Sequence, residues 1–98
     1  MLVKLTEVCQ NSALTTRDHY SLREVLVNPE HVIMIREEFR IKKLNEEGLL
    51  AEGLSADHRF SKLTINRGQT GTDIVVVGGP ETVETRLKIN APKQLLRG

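Results

Sequence analysis

The sequence predicts a mainly β domain: a small, strongly bent sheet or open barrel of five to six short strands, with a short helix or helices. Three observations predict it. Short runs rich in Val, Ile and Leu recur along the chain, each bounded by Gly, Pro, Asn or Ser/Thr signals. The chain has 98 residues with 39% hydrophobics, so it can bury one core and has no material for a second. Only three aromatics occur, Tyr20, Phe39 and Phe60, which leaves that core to aliphatic side chains. Residues 1–98 therefore read as one domain.

The elements follow in order. Leu2–Val8 alternates in part through Val3, Leu5 and Val8, which predicts a strand. Cys9–Tyr20 is polar and reads as a loop, with a turn at Thr15-Thr16-Arg17-Asp18. Leu22–Val27 predicts a second strand, and Asn28-Pro29-Glu30 stops it, because Asn-Pro starts turns and proline cannot donate to a ladder. His31–Arg36 is short and β-branched, which gives strand, tight turn, strand. Glu37–Glu47 fits neither period cleanly, since Phe39, Ile41 and Leu44 share no simple spacing; its composition suits a helix or an extended strand end. Gly48–Arg59 reads as a long loop, so residues 37–60 form a variable insert.

Phe60–Asn66 alternates well, Arg67–Gly71 reads as a glycine-bearing turn, and Thr72–Val77 carries the strongest strand signal. The three predict a hairpin with a loop of several residues. Pro80, Glu81 and the Val83/Leu87 spacing predict a short helix or turn; Lys88-Ile89-Asn90 suits one more short strand, and residues 91–98 form a tail. Ile74–Val77 has no polar residue and reads as buried on both faces. A sheet this small leaves open edges, and pairing with further copies is the simplest way to cover them, so a homo-oligomer is expected.

Composition excludes several classes. No apolar run approaches the roughly 18–20 residues of a membrane helix. The N-terminal residues lack the charged-then-apolar layout of a signal peptide. The single cysteine, Cys9, has no internal disulfide partner, which makes a reducing, cytoplasmic setting the expectation. Asp18-His19 and Asp57-His58 are sequence neighbours, which point apart on a strand, and His31 stands alone. With no H-x-x-x-H or C-x-x-C spacing, no metal site is expected. Cys9 has no base beside it in sequence and reads as an ordinary thiol. The glycines match no phosphate-binding frame. No cofactor, catalytic residue or enzymatic activity is therefore expected.

Charge gives the one functional lean. The net charge is +1, but residues 1–57 hold 7 Lys+Arg and 10 Asp+Glu, whereas residues 58–98 hold 7 and 3. In Arg36–Lys43 the bases are balanced by Glu37, Glu38, Glu46 and Glu47, a mixed and solvated face. From His58 to Thr72 there is no acidic residue, and Arg59, Lys62 and Arg67 lie within that stretch. Guanidinium groups bind phosphate in pairs of hydrogen bonds or stack on a base. The competing reading is an exposed strand face with solvated bases.

Leu63-Thr64-Ile65-Asn66-Arg67-Gly68 followed by Ile74–Val77 resembles the second signature of Sm-like proteins, in which an Arg-Gly pair sits in the turn between the last two strands. Val27–Ile35 resembles the first signature, with His31 near where an Asn is usual. Taken whole, the chain resembles Sm-like (Sm/LSm) proteins from marine phage and metagenomic sequences, whose nucleic-acid binding is assigned by fold. The resemblance implies an SH3-type bent barrel and a homomeric ring closed by pairing the last strands of neighbours. It implies that Asn28 and His31 converge at a pore with Arg67 and Gly68, with Lys62 and Arg59 as a basic surround. The ligand would be single-stranded nucleic acid, RNA in preference to DNA, in RNA processing or regulation, and the setting a host cytoplasm if the chain is phage-encoded. The alternative from another class is a structural or protein-interaction oligomer that touches no nucleic acid.

Overall fold

A computed structural model describes residues 1–10, 20–50, 54–68 and 70–89; the side chains of Arg67, Thr70 and Ile89 are outside the description. The expected turn at Thr15–Asp18 and the tail at 91–98 lie outside the described residues. Five strands form one antiparallel, unclosed sheet: β1 (Val3–Gln10), β2 (Tyr20–Val27), β3 (Val32–Glu37), β4 (Phe60–Arg67) and β5 (Thr70–Val77). A single 3-10 turn, Pro29–His31, joins β2 to β3; α1 (Phe39–Glu46) lies between β3 and β4, and α2 (Pro80–Ile89) follows β5. The strand order is β2-β1-β5-β4-β3. The mainly β class with short helices is thus observed.

The sheet consists of a hairpin and a meander that meet at one point. β1 and β2 pair along all eight residues, from Val3↔Val27 to Gln10↔Tyr20. β4 and β5 also pair along their full length, and β3 pairs with β4. Between the two units only Glu7↔Val76 and Val8↔Val75 are matched.

The alternation of β1 changes along the strand because its residues serve two core clusters. Val3 and Leu5 face one core cluster with Val27, Leu63, Val76, Val83 and Leu87. Val8, three residues after Leu5, faces a second cluster with Ile41, Leu50 and Phe60. β5 serves both: Ile74 packs on the first cluster, Val75 and Val77 on the second. The chain therefore covers both faces of β5 itself, and both flanks of β4 are occupied by β3 and β5. The open borders are β2 and β3, at opposite ends of the order.

Three local readings are corrected. The β4–β5 ladder runs on to Arg67↔Thr70, so the loop is two residues, Gly68-Gln69, rather than several. Gly68 sits at φ +84°, a backbone region that lets so tight a turn close. Lys88 and Ile89 are the end of α2, not a strand: Val83 and Leu87, four apart and both buried, carry the helix past them. The 37–60 segment contains α1, whose inward stripe is Ile41, Leu44 and Asn45; Phe39 falls off that stripe and is exposed, which is why its spacing matches no period. Asn45 Nδ2 donates to the Ser55 carbonyl at 2.7 Å, tying the far side of the following loop to the helix.

Candidate functional site

Two polar clusters form at opposite ends of the meander. The first is built on the 3-10 turn. Asn28 caps it: its Oδ1 accepts from the Glu30 N–H at 2.9 Å, and its carbonyl accepts from the His31 N–H at 3.0 Å. Pro29 supplies the fixed φ of a first helical position. His31 is left exposed at the end of the turn. The next residue, Val32, pairs with Ile65, two residues before Arg67.

Asn28 and His31 therefore lie at the end of the sheet where the β4–β5 turn lies. A shallow cavity of about 180 Å³ opens there, with Val25, Ile65 and Ile74 as its apolar side and Asn28, His31 and Thr72 as its polar side. Arg67 and Gly68 sit just beyond it by register, Arg67 opposite Thr70 and Gly68 in the turn. Four of the six candidate positions, Asn28, His31, Arg67 and Gly68, share one end of the sheet by backbone placement.

Arg59 and Lys62 are elsewhere. Arg59 immediately precedes β4 and Arg67 ends it; eight residues of strand at about 3.3 Å each separate them by about 26 Å. The Arg59 guanidinium binds Glu37 through two hydrogen bonds, Nε at 2.9 Å to Oε2 and Nη2 at 2.6 Å to Oε1. Its Nη1 also lies 3.1 Å from Glu81 Oε1. Lys62 Nζ lies 3.6 Å from Glu38 Oε1. The acid-free stretch of sequence is thus supplied with carboxylates from the end of β3 and the start of α2. Asp73, one residue past that stretch, is the register partner of Thr64 and accepts its hydroxyl at 2.9 Å. Arg59 and Lys62, expected as a basic surround, are both ion-paired, and Arg59 lies at the other end of β4 from Arg67.

The Arg59 cluster is a junction of three segments. The Gly78 N–H donates to the Arg59 carbonyl at 2.7 Å, the Glu38 N–H donates to the Phe60 carbonyl at 2.8 Å, and Ser61 Oγ donates to the Gly78 carbonyl at 2.7 Å. Gly79 has a role beyond turning the chain: a Cβ there would stand 2.7 Å from Arg59 Cζ. Arg59 holds the Glu37 carboxyl below the usual carboxylate range. The Glu81 carboxyl is lowered first by its own backbone N–H and then by Arg59. Arg59 is raised in turn by both acids.

Sequence reasoning misses Glu37, Glu81 and Gly79. Their partnership depends on how β3 returns beside β4 across 22 residues, which no local pattern encodes.

Other chemistry is sparse. No group of three or more metal-ligating side chains occurs among the described residues. Cys9 is half-buried on β1, and Arg23 Nε donates to its Sγ at 3.1 Å. No described helix is long and apolar enough to cross a membrane. The chain is defined by these features as an open antiparallel β sheet with two short helices and an Asn-capped turn at one end. No family model, curated protein or solved structure matches it.

Proposed function

We propose that this is a non-enzymatic, Sm-like domain that assembles with further copies, as a ring, and binds single-stranded nucleic acid, RNA in preference to DNA. The observation that carries the reading is the placement of Asn28, His31 and the Arg67–Gly68 turn at one end of the sheet, around a small apolar-floored cavity. Each group has a role in such binding. An amide hydrogen-bonds a base edge, an imidazole stacks on a base, and a guanidinium takes phosphate. Gly68 keeps the turn narrow enough for a backbone to approach.

Repetition around an assembly supplies avidity that one shallow site lacks. The assembly would use the open borders β2 and β3 rather than the last two strands, which are internal. A cytoplasmic setting and a role in RNA processing or regulation belong to the same proposal.

A gel-shift series against oligo-U and oligo-A at rising salt tests it. Binding that weakens with salt, and an Arg67→Ala variant that binds less with a flatter salt dependence while still assembling, are the expected results. Unchanged binding by Arg67→Ala at low salt removes the site.

The second reading, a structural or protein-interaction oligomer, is favoured by the ion pairing of Arg59 and Lys62, which takes two of the expected cations away from a phosphate backbone. Light scattering that shows an assembly, together with no gel shift at any salt, selects it.

A further inference from the structure

The two border strands carry exposed side chains of matching kind. On β2, Arg23-Glu24-Val25-Leu26 pairs regularly with β1. Leu26 is 57% exposed, and the one ion pair of Glu24 among the described residues is a long contact with Lys4, 3.8 Å. On β3 the ladder shifts between Val32 and Met34, which leaves Met34-Ile35-Arg36-Glu37 as the regular run beside β4. Met34 is 42% exposed, and Arg36 Nη2 donates to its sulfur at 2.9 Å. Arg36 has no carboxylate partner among the described residues. Val25 and Ile35 both pack on the first core cluster, so by alternation Glu24, Leu26, Met34 and Arg36 lie on the other face of the sheet. Open borders that expose apolar side chains are a liability unless something covers them.

Each border complements the other in one register. Residues directly opposite in a ladder face the same way. With the strands antiparallel and Val25 opposite Ile35, Glu24 meets Arg36, Leu26 meets Met34, and Arg23 meets Glu37. Sliding by two residues sets Glu24 against Met34 in one direction and against Glu38 in the other. Parallel strands with Glu24 beside Arg36 set Arg23 beside Ile35 and Val25 beside Glu37. Neither strand meets an opposite charge on its own copy, because Arg23 and Glu24 lie on opposite faces, as do Arg36 and Glu37. Opposite charges and apolar pairs placed across a ladder stabilise it, and like charges do the reverse.

We propose that copies of this chain join head to tail, β2 of one antiparallel beside β3 of the next, with Glu24 opposite Arg36, Val25 opposite Ile35 and Leu26 opposite Met34. The junction rests on the assembly proposed above and not on nucleic-acid binding. Leu26 also lines the Asn28–His31 cavity, so Met34 of the neighbouring copy is brought to the rim of that cavity.

Sedimentation equilibrium of the full chain tests it by charge exchange. The parent should self-associate. Glu24→Arg and Arg36→Glu should each weaken association about tenfold or more, because each sets like charges opposite one another. Both side chains are exposed, so folding should be little affected. The double variant Glu24→Arg/Arg36→Glu should return to near the parent, and so should an equal mixture of the two single variants, in which every junction again pairs opposite charges. A parent that stays monomeric overturns the junction and the assembly together, and that arm needs no variant to fold. A parent that assembles, with a double variant and a mixture no stronger than the single variants, overturns the junction alone. Restored association without any gel shift supports the junction and removes the nucleic-acid reading.

Discussion

The two ends of the β3–β4–β5 meander use their polar groups in opposite ways. At one end Arg59, Glu37 and Glu81 satisfy one another, and backbone bonds from Gly78 and Glu38 lock three segments over the buried Phe60. At the other end Asn28 caps a turn and His31 faces outward, and no ion pair joins the turn to β4 among the described residues. Formal charge identifies neither end correctly. The cation density of the sequence is spent on structure at the first end, and the second presents mainly hydrogen-bonding groups. The ion-paired end should therefore respond to mutation through stability, and the open end through binding.

The largest contrast is in the core. Phe60 is fully buried at the ion-paired end, and Phe60→Ala should cost about 3–5 kcal/mol in urea unfolding. At the open end, loss of the Asn28 cap in Asn28→Ala should cost about 0.5–2 kcal/mol. Equal losses would dissolve the distinction between the ends.

A sharper test uses pH. Glu37 and Glu81 titrate below their unfolded values. Their stabilising contribution is therefore complete above the ordinary carboxylate pKa of about 4.3, and it is lost as pH falls through the lower folded values. Arg59→Gln should flatten the loss of stability below that pH while His31→Ala leaves it unchanged, as followed by thermal melting. Gly79→Ala should act like a weakened Arg59→Gln, because its methyl would displace a guanidinium that two carboxylates hold in place. If Gly79→Ala leaves the acid profile of the parent, Arg59 is not confined there.

Much of the fold is legible in the sequence because it is local. The β-branched runs at 32–35 and 74–77, the Asn-Pro stop and the Pro80 start each follow from neighbouring residues. Alternation makes the β4–β5 loop too long because it marks strand interiors better than ladder ends, and the ladder persists to Thr70. Lys88-Ile89 suits a strand in isolation, but the helix that contains it is fixed by Val83 and Leu87 against β1, β4 and β5, a tertiary fact. The candidate site divides along the same line. Asn28 and His31 share a turn, and Val32↔Ile65 brings that turn to the β4–β5 end. Arg59 and Lys62 look free in the sequence only because their carboxylates come from Glu37, Glu38 and Glu81, across the insert and beyond β5.

The smallest expected effect on stability is the most informative for function. If Arg67 acts in binding alone, Arg67→Ala should leave the urea unfolding free energy within about 0.5 kcal/mol of the parent.

The central claim is that binding belongs to the Asn28–His31–Arg67 end and not to the ion-paired end. Fluorescence anisotropy of labelled oligo-U against salt, compared between Arg67→Ala and Arg59→Gln, tests it most directly. The account predicts that Arg67→Ala lowers the slope of log affinity against log salt by about 0.7 for each phosphate that is no longer neutralised, while Arg59→Gln keeps the parent slope. A slope reduced in Arg59→Gln and kept in Arg67→Ala would contradict it.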